Sequence, residues 1–195
     1  GLGATNNDFA PIVPELGIQD ELGIRFVFPQ APSMPVSINN GAVMPAWYDI
    51  SVMDLMKRAD DDGIKNSSET ITDMINDEIA MGVDPSNIVI AGFSQGGVIA
   101  LDAGIRFPRP LAGIMALSTY IPIRDTLGNA EKNGNSDISI FYGHGDYDPV
   151  IPIDQAQSAK LFLEENGYSV EWHTYPMEHS VSPQEINDIK NWLQS

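Results

Sequence analysis

Ile88-Val89-Ile90-Ala91-Gly92-Phe93-Ser94-Gln95-Gly96-Gly97 runs four apolar residues into a Gly-x-Ser-x-Gly turn, and Val98–Ile105 beyond it reads as a helix. Continuous rather than alternating hydrophobicity in Ile88–Ala91 predicts a central strand buried on both faces. A chain that turns from strand to helix within one residue forces Ser94 into a strained backbone conformation. Gly92 and Gly96, two positions to either side, are expected because side chains there would collide with the neighbouring elements. Such a bend holds the serine hydroxyl above the sheet edge, at the positive end of the following helix. The context distinguishes it from an ordinary Gly-rich strand–helix turn.

Outward from this stretch, short apolar runs alternate with helix-period segments. The runs are Ile24–Phe28, Ile88–Gly92, Ala112–Leu117, Ile138–Tyr142 and Val170–Tyr175. That alternation predicts a single α/β domain over residues 1–195, with a mainly parallel central sheet flanked by helices. Asn66 and Glu69 resemble a capping pair ahead of Ile71, Met74, Ile75 and Ile79 on one helical face. Asp154 is expected to cap a helix running to about Asn166, ended by Gly167 in a left-handed turn. Ser182, Pro183 and Glu185 predict the start of a last helix, whose buried stripe is Ile186, Ile189 and Trp192-Leu193. Pro29–Asp49 and Ser118–Asp137 read as long irregular segments, which in a compact domain are often functional.

Composition excludes several classes. The chain has 195 residues, 43% apolar and 19% charged, an ordinary globular balance. Its formal charge of −17, from 27 acidic and 10 basic side chains, repels phosphate backbones and anionic headgroups. Nucleic acid and electrostatic membrane docking are therefore not expected. The Asp60-Asp61-Asp62 run reads as a solvated helix end or turn. No apolar run approaches the ~20 residues of a membrane span. The absence of cysteine excludes disulfides and thiolate catalysis and fits a reducing, cytoplasmic setting.

A serine hydroxyl needs a base, and the chain holds three histidines. His173 lies within a predicted strand, alternating with Trp172 and facing solvent. His144 precedes Gly145 directly after a strand, as a structural turn residue. His179 lies between the last strand and the last helix, at the carboxyl end of the sheet where an open α/β fold places its site. It is the expected base. An acid should follow the preceding strand, giving the chain order Ser, Asp, His. Asp146 and Asp148 both qualify, and spacing does not separate them.

The chain resembles the phospholipase/carboxylesterase group of α/β-hydrolases, which includes bacterial carboxylesterases and acyl-protein thioesterases. The resemblance rests on Gly1-Leu2-Gly3, Phe28-Pro29-Gln30-Ala31-Pro32, Trp47-Tyr48-Asp49, Gly92–Gly97, Leu117-Ser118, His144–Pro152 and Tyr175–His179. Met44–Ile50 and Ser118-Thr119-Tyr120 are most similar to the bacterial carboxylesterase branch. The resemblance implies that the acid is Asp148, the aspartate before Pro149, with Asp146 a structural neighbour. It also implies an oxyanion hole from the amides of Leu2 and Gln95. Members of the group carry an N-terminal strand ending in a histidine before Gly-Leu-Gly. Nothing precedes Gly1 here, so the chain is expected to be incomplete, with an exposed central sheet edge and Leu2 untethered.

The resulting expectation is a serine carboxylesterase with Ser94, His179 and Asp148 as its triad, acting on short- to medium-chain esters through an acyl-enzyme. No metal or organic cofactor is required. Met34, Val36, Ile38, Met44 and Trp47 either line an acyl groove or simply pack against the domain, with Met44 and Trp47 the named substrate contacts. The alternatives are an acyl-protein thioesterase or lysophospholipase-like hydrolase, a lactone or peptide hydrolase, and a non-catalytic binding protein on the same fold. The expected partner is a small or lipid-like ester, and the expected assembly a homodimer.

Overall fold

The structure, a computed structural model, describes residues 1–51, 60–128 and 134–195. In chain order its elements are α1 (Ile12–Leu16), α2 (Gln19–Leu22), β1 (Ser33–Val36), β2 (Ala42–Pro45), α3 (Asp61–Ala80), β3 (Val89–Phe93), α4 (Gln95–Arg106), β4 (Gly113–Leu117), α5 (Arg124–Gly128), β5 (Ser139–Gly145), α6 (Ile153–Glu165), β6 (Ser169–Tyr175) and α7 (Pro183–Gln194). Strands β3-β4-β5-β6 lie side by side in that order, every pair parallel. All four therefore end on the same rim, where the loops carrying Ser94, Asp148 and His179 begin.

Period-two alternation sorts the central strands between two cores. Ile114, Ala116, Ile140 and Tyr142 point to one face, where α3, α4 and α6 contribute Ile75, Leu101, Ile105, Ala156, Ala159 and Leu163. Met115, Leu117 and Phe141 point to the other, against Leu16, Ile18 and Ile189, with Ile12, Ile186 and Trp192 packed alongside. Fully burying one such side chain stabilises the fold by about 1.5–3 kcal/mol.

The structure corrects several local expectations. Ile24–Phe28 forms no strand; Ile24 and Phe26 pack on the Phe141 core, and Arg25 pairs with Glu78 of α3. β3 is not buried on both faces: its side chains are half-buried and Ala91 is exposed. Among the described residues only β4 pairs with it, while β4 and β5 are the buried strands. The Pro29–Asp49 segment is not wholly irregular. It holds the antiparallel hairpin β1–β2, with Met34 opposite Met44. Ser118–Asp137 contains α5, and its residues 129–133 lie outside the described ones.

Helix ends also differ. α3 starts at Asp61, not after Asn66, which sits exposed inside it. Asp60 is the cap: one carboxylate oxygen accepts from the Gly63 amide at 2.9 Å and the other from the Asp49 amide at 3.0 Å. Fully buried Ile64 gives the earlier turn its reason to form. The three-aspartate run is thus a helix start, with Asp61 and Asp62 favoured by the helix dipole. Asp154 lies in the first turn of α6 and is not its cap, that position falling to Pro152. Gly167 is left-handed, as expected.

At α7, Ser182 Oγ accepts from the Glu185 amide at 3.2 Å with Pro183 in the first turn. The Glu185 side chain does not close the capping box with good geometry. It is fully buried, folded over Gly143 of β5, where a Cβ would strike it, and neither carboxyl oxygen has a hydrogen-bond partner. Burial pushes its carboxyl up to about 8 from 4.5, the nearby Ser182 amide offsetting part of this and Asp188 adding to it.

Two stability predictions follow from these ends. Asp60→Ala should lower the unfolding free energy by about 1 kcal/mol in chemical denaturation, while Asn66→Ala leaves it nearly unchanged. Between pH 4.5 and about 8 the folded state holds the Glu185 proton that the unfolded chain releases. Stability should therefore fall as pH rises through that window. Glu185→Gln should flatten the fall and raise stability by about 1–3 kcal/mol at pH 8, read from urea midpoints at pH 5 and 8.

Candidate active site

Ser94 joins β3 to α4 with φ 55° and ψ −120°, a conformation non-glycine residues rarely occupy. Its amide donates to Leu117 O at 2.8 Å, and its carbonyl accepts from the Gly97 amide at 2.9 Å and from Thr119 Oγ1 at 2.7 Å. The crowding expected around it is only half right. A Cβ at Gly92 would run into the Gly96 carbonyl and the Gly97 amide, so glycine is required there. A Cβ at Gly96 would meet only Trp47 Nε1, at 3.9 Å; the second tight position is Gly97, where it would lie 2.6 Å from Thr119 Cβ.

His179 follows β6, and its Nδ1 lies 2.6 Å from Asp148 Oδ2. An ionised carboxylate only accepts, so Nδ1 carries the proton and Nε2 keeps its lone pair, the tautomer a general base needs. The Asp148 side chain is fully buried, and its other oxygen accepts from the amides of Val150 and Ile151 at 2.8 and 2.9 Å. Three donors thus hold one carboxylate still. The His179 ring packs against Phe93, the residue before Ser94, with centroids 4.7 Å apart.

The structure separates the two aspartates that spacing left open. Asp146 is exposed, and its amide donates to Tyr175 O at 2.8 Å, tying the loop after β5 to β6. His144 is buried in β5 with Nε2 2.9 Å from Ile151 O, so it donates from that nitrogen and braces the Asp148 loop. Burial holds its ring below the ordinary histidine range and keeps it neutral. His173 does not simply face solvent. It stacks on Phe141 at 5.1 Å and meets Glu171 at 2.8 Å, away from the other site residues.

Gly1–Gly3 crosses the elbow. A Cβ on Gly1 would lie 3.7 Å from Ser94 Cβ. The segment is not untethered: the Gly3 amide donates to Pro45 O at 2.7 Å and that of Ala4 to Gly1 O at 3.2 Å. Neither bond uses the Leu2 amide. Gln95 does more with its side chain than the sequence suggested. That side chain is buried, accepting from the Trp47 amide at 2.8 Å and donating to Tyr48 O at 2.6 Å. It fastens the end of the β1–β2 segment to the first residue of α4. Met44 Sδ comes within 3.8 Å of a Cβ placed on Gly3, while Val36 is fully buried as packing. On the His179 side, an open cavity of about 330 Å³ is lined by Phe9, Ile12, Phe93, Ser180, Val181 and Ile186.

Gln95, Thr119 and Phe93 were missed as supports because their partners are distant in the chain. Only the elbow position of Phe93 and Gln95 offered any signal. Among the described residues no cluster of His, Asp and Glu could hold a metal ion, and no helix is long and apolar enough to cross a membrane.

The phospholipase/carboxylesterase family model matches residues 1–195. Acyl-protein thioesterase 1 of Mycosarcoma maydis is 38% identical over 209 residues, covering 100% of this chain and 87% of the relative. Acyl-protein thioesterase 1 of Saccharomyces cerevisiae is 36% identical, covering 100% and 88%. Among solved structures, Arabidopsis thaliana SOBER1 superposes with a TM-score of 0.93 at 29% identity, covering 100% and 94%. With the elbow, the parallel sheet and these similarities together, the chain belongs to the phospholipase/carboxylesterase family of α/β-hydrolases.

Proposed function

We propose that this hydrolase cleaves acyl thioesters, those of acylated proteins included, and carboxylic esters by the same apparatus, with Ser94 as nucleophile, His179 as base and Asp148 as the acid that orients it. The observation that carries this reading is the 2.6 Å bond from His179 to a buried, three-fold-held Asp148, with the imidazole packed on the residue before Ser94. His179 takes the Ser94 proton as Oγ attacks the acyl carbonyl, and the imidazolium is stabilised by Asp148. The amides of Leu2 and Gln95 receive the tetrahedral oxygen. His179 gives that proton to the departing thiolate or alkoxide, then takes a proton from the water that attacks the acyl-enzyme and returns it to Ser94 Oγ as the acid is released. None of these steps calls on a metal or cofactor.

The thioester preference draws on the names of the fungal relatives, which favour it over the plain carboxylesterase expected from the sequence. A thiolate leaves more readily than an alkoxide, so the same groups suffice. Met44 beside Gly3 and Trp47 beside Gly96, together with the cavity lined by Phe93, Val181 and Ile186 and bordered by Asp8 and Glu15, would take the two ends of such a substrate.

A fluorophosphonate probe should label the protein, and Ser94→Ala should abolish the label; labelling that persists in the variant would remove Ser94 as nucleophile. Asp148→Asn should lower kcat by about 10³–10⁴-fold, and Asp146→Asn far less. Equal losses in two folded variants would reassign the acid. A thioester and an oxygen ester of the same acyl chain should both turn over, the thioester with higher kcat/KM; the reverse order would restore the carboxylesterase reading.

A further inference from the structure

The peptide bond after Ser94 has two functional ends. Its carbonyl belongs to Ser94, and its N–H is the Gln95 amide to which the proposed mechanism gives the oxyanion. A peptide unit is planar, so whatever fixes the carbonyl fixes the direction of the amide. The Ser94 carbonyl has two donors. One is the Gly97 amide, which belongs to the same turn and moves with it. The other is Thr119 Oγ1, 2.7 Å away, which comes from the neighbouring strand end.

Thr119 is held on every side. It is fully buried, and its carbonyl accepts from Tyr142 Oη at 2.6 Å. Tyr142 is itself fully buried in β5, and burial pushes its phenol up, so it remains a donor. The Ser118 amide donates to Gly143 O at 2.8 Å, fastening the residue before Thr119 to the same strand. Thr119 Cβ, Cγ2 and Oγ1 all pack into the space left by Gly97, 2.6 to 2.7 Å from where a Cβ would sit, and the hydroxyl held there donates to the Ser94 carbonyl. A hydroxyl donating into a carbonyl also polarises the amide, making its N–H a stronger donor.

We propose that Thr119 is a positioning residue, whose hydroxyl orients and strengthens the Gln95 amide as oxyanion donor through the Ser94 carbonyl of the shared peptide plane. This rests on the assignment of Ser94 and Gln95 above. Tyr142 and β5 supply the rigid frame, so the oxyanion donor is referenced to the centre of the sheet and not to the turn alone.

The test compares Thr119→Val, which keeps the shape and removes the hydroxyl, with Thr119→Ser, which keeps the hydroxyl. Steady-state kinetics on a thioester is paired with inhibition by an alkyl trifluoromethyl ketone. Ser94 Oγ adds to the carbonyl of that ketone, His179 takes the proton, and the resulting oxyanion occupies the hole. The matching trifluoromethyl alcohol, which forms no adduct, reports ground-state binding. Thr119→Val should lower kcat about tenfold or more, with KM within about twofold. Its affinity for the ketone should fall by a similar factor while that for the alcohol holds. Thr119→Ser should stay within about threefold of the parent. A folded Thr119→Val with unchanged kcat, or with lowered kcat and unchanged ketone affinity, would overturn the proposal. If Thr119→Val does not fold, Thr119→Ala against Thr119→Ser isolates the hydroxyl with the slot equally emptied, and equal kcat in those two would overturn it as well. Ser94→Ala, run in parallel, separates the two levels: activity surviving there refutes the nucleophile assignment, not the role of Thr119.

Discussion

The backbone of Ser94 sits at φ 55° and ψ −120°, a state that costs of order 1–3 kcal/mol and persists only where its surroundings impose it. Those surroundings are the parallel sheet and the helix that leaves it. The Leu117 carbonyl takes the serine amide, Gly97 and Thr119 take its carbonyl, and Gly92 leaves room for the returning chain. α4 is buried from Gly97 to Ile105 between the sheet and α3, so it cannot shift to relieve the bend. The strain is thus offset by packing far larger than itself, and what it secures is the direction of one hydroxyl and one amide.

The rim of the sheet does the rest. Because β3 to β6 are all parallel, every connecting loop at one end is within reach of the elbow. The loops after β5 and β6 bind each other through Asp146 to Tyr175 and Tyr147 to Met177, before Asp148 and His179 meet. His144 and the amides of Val150 and Ile151 stiffen the Asp148 turn from within. From the other side, Gln95 ties down Trp47 and Tyr48, and Pro45 holds Gly3. The segment around Trp47 is thereby joined to the residue that follows Ser94, and Gly1–Gly3 is joined to that segment.

The same framework explains why a neutral glutamic acid is tolerated behind the site. Glu185 occupies the gap above Gly143, on the strand whose Tyr142 steadies Thr119 and whose end carries His144. Protonated, it fills that gap without placing an unpaired negative charge in the interior beside Asp188. Acidity is abundant on this chain, at a net −17, but among the described residues the buried acids are Asp102, paired with Arg106, Asp148, bonded to His179, and Glu185, held neutral.

The strand–turn–helix at Ser94 and the parallel sheet were legible in the sequence because each is a local pattern: an apolar run, a glycine spacing, a helix start. The termini of β3 to β6 came within three residues for the same reason, whereas Ile24–Phe28 forms no strand and the hairpin β1–β2 was not foreseen. Spacing alone left Asp146 and Asp148 open, since both follow one strand; the family resemblance pointed to Asp148, which is the one that is buried and bonded to His179. Gly97, Gln95 and Thr119 acquire their roles from contacts across 22 to 48 positions of chain, and such contacts exist only once the sheet has formed. Local sequence determined which chemistry the chain carries. Tertiary packing decided which atoms hold it in place, because hydrogen bonds and close contacts between distant segments depend on register and burial that no short window of residues encodes.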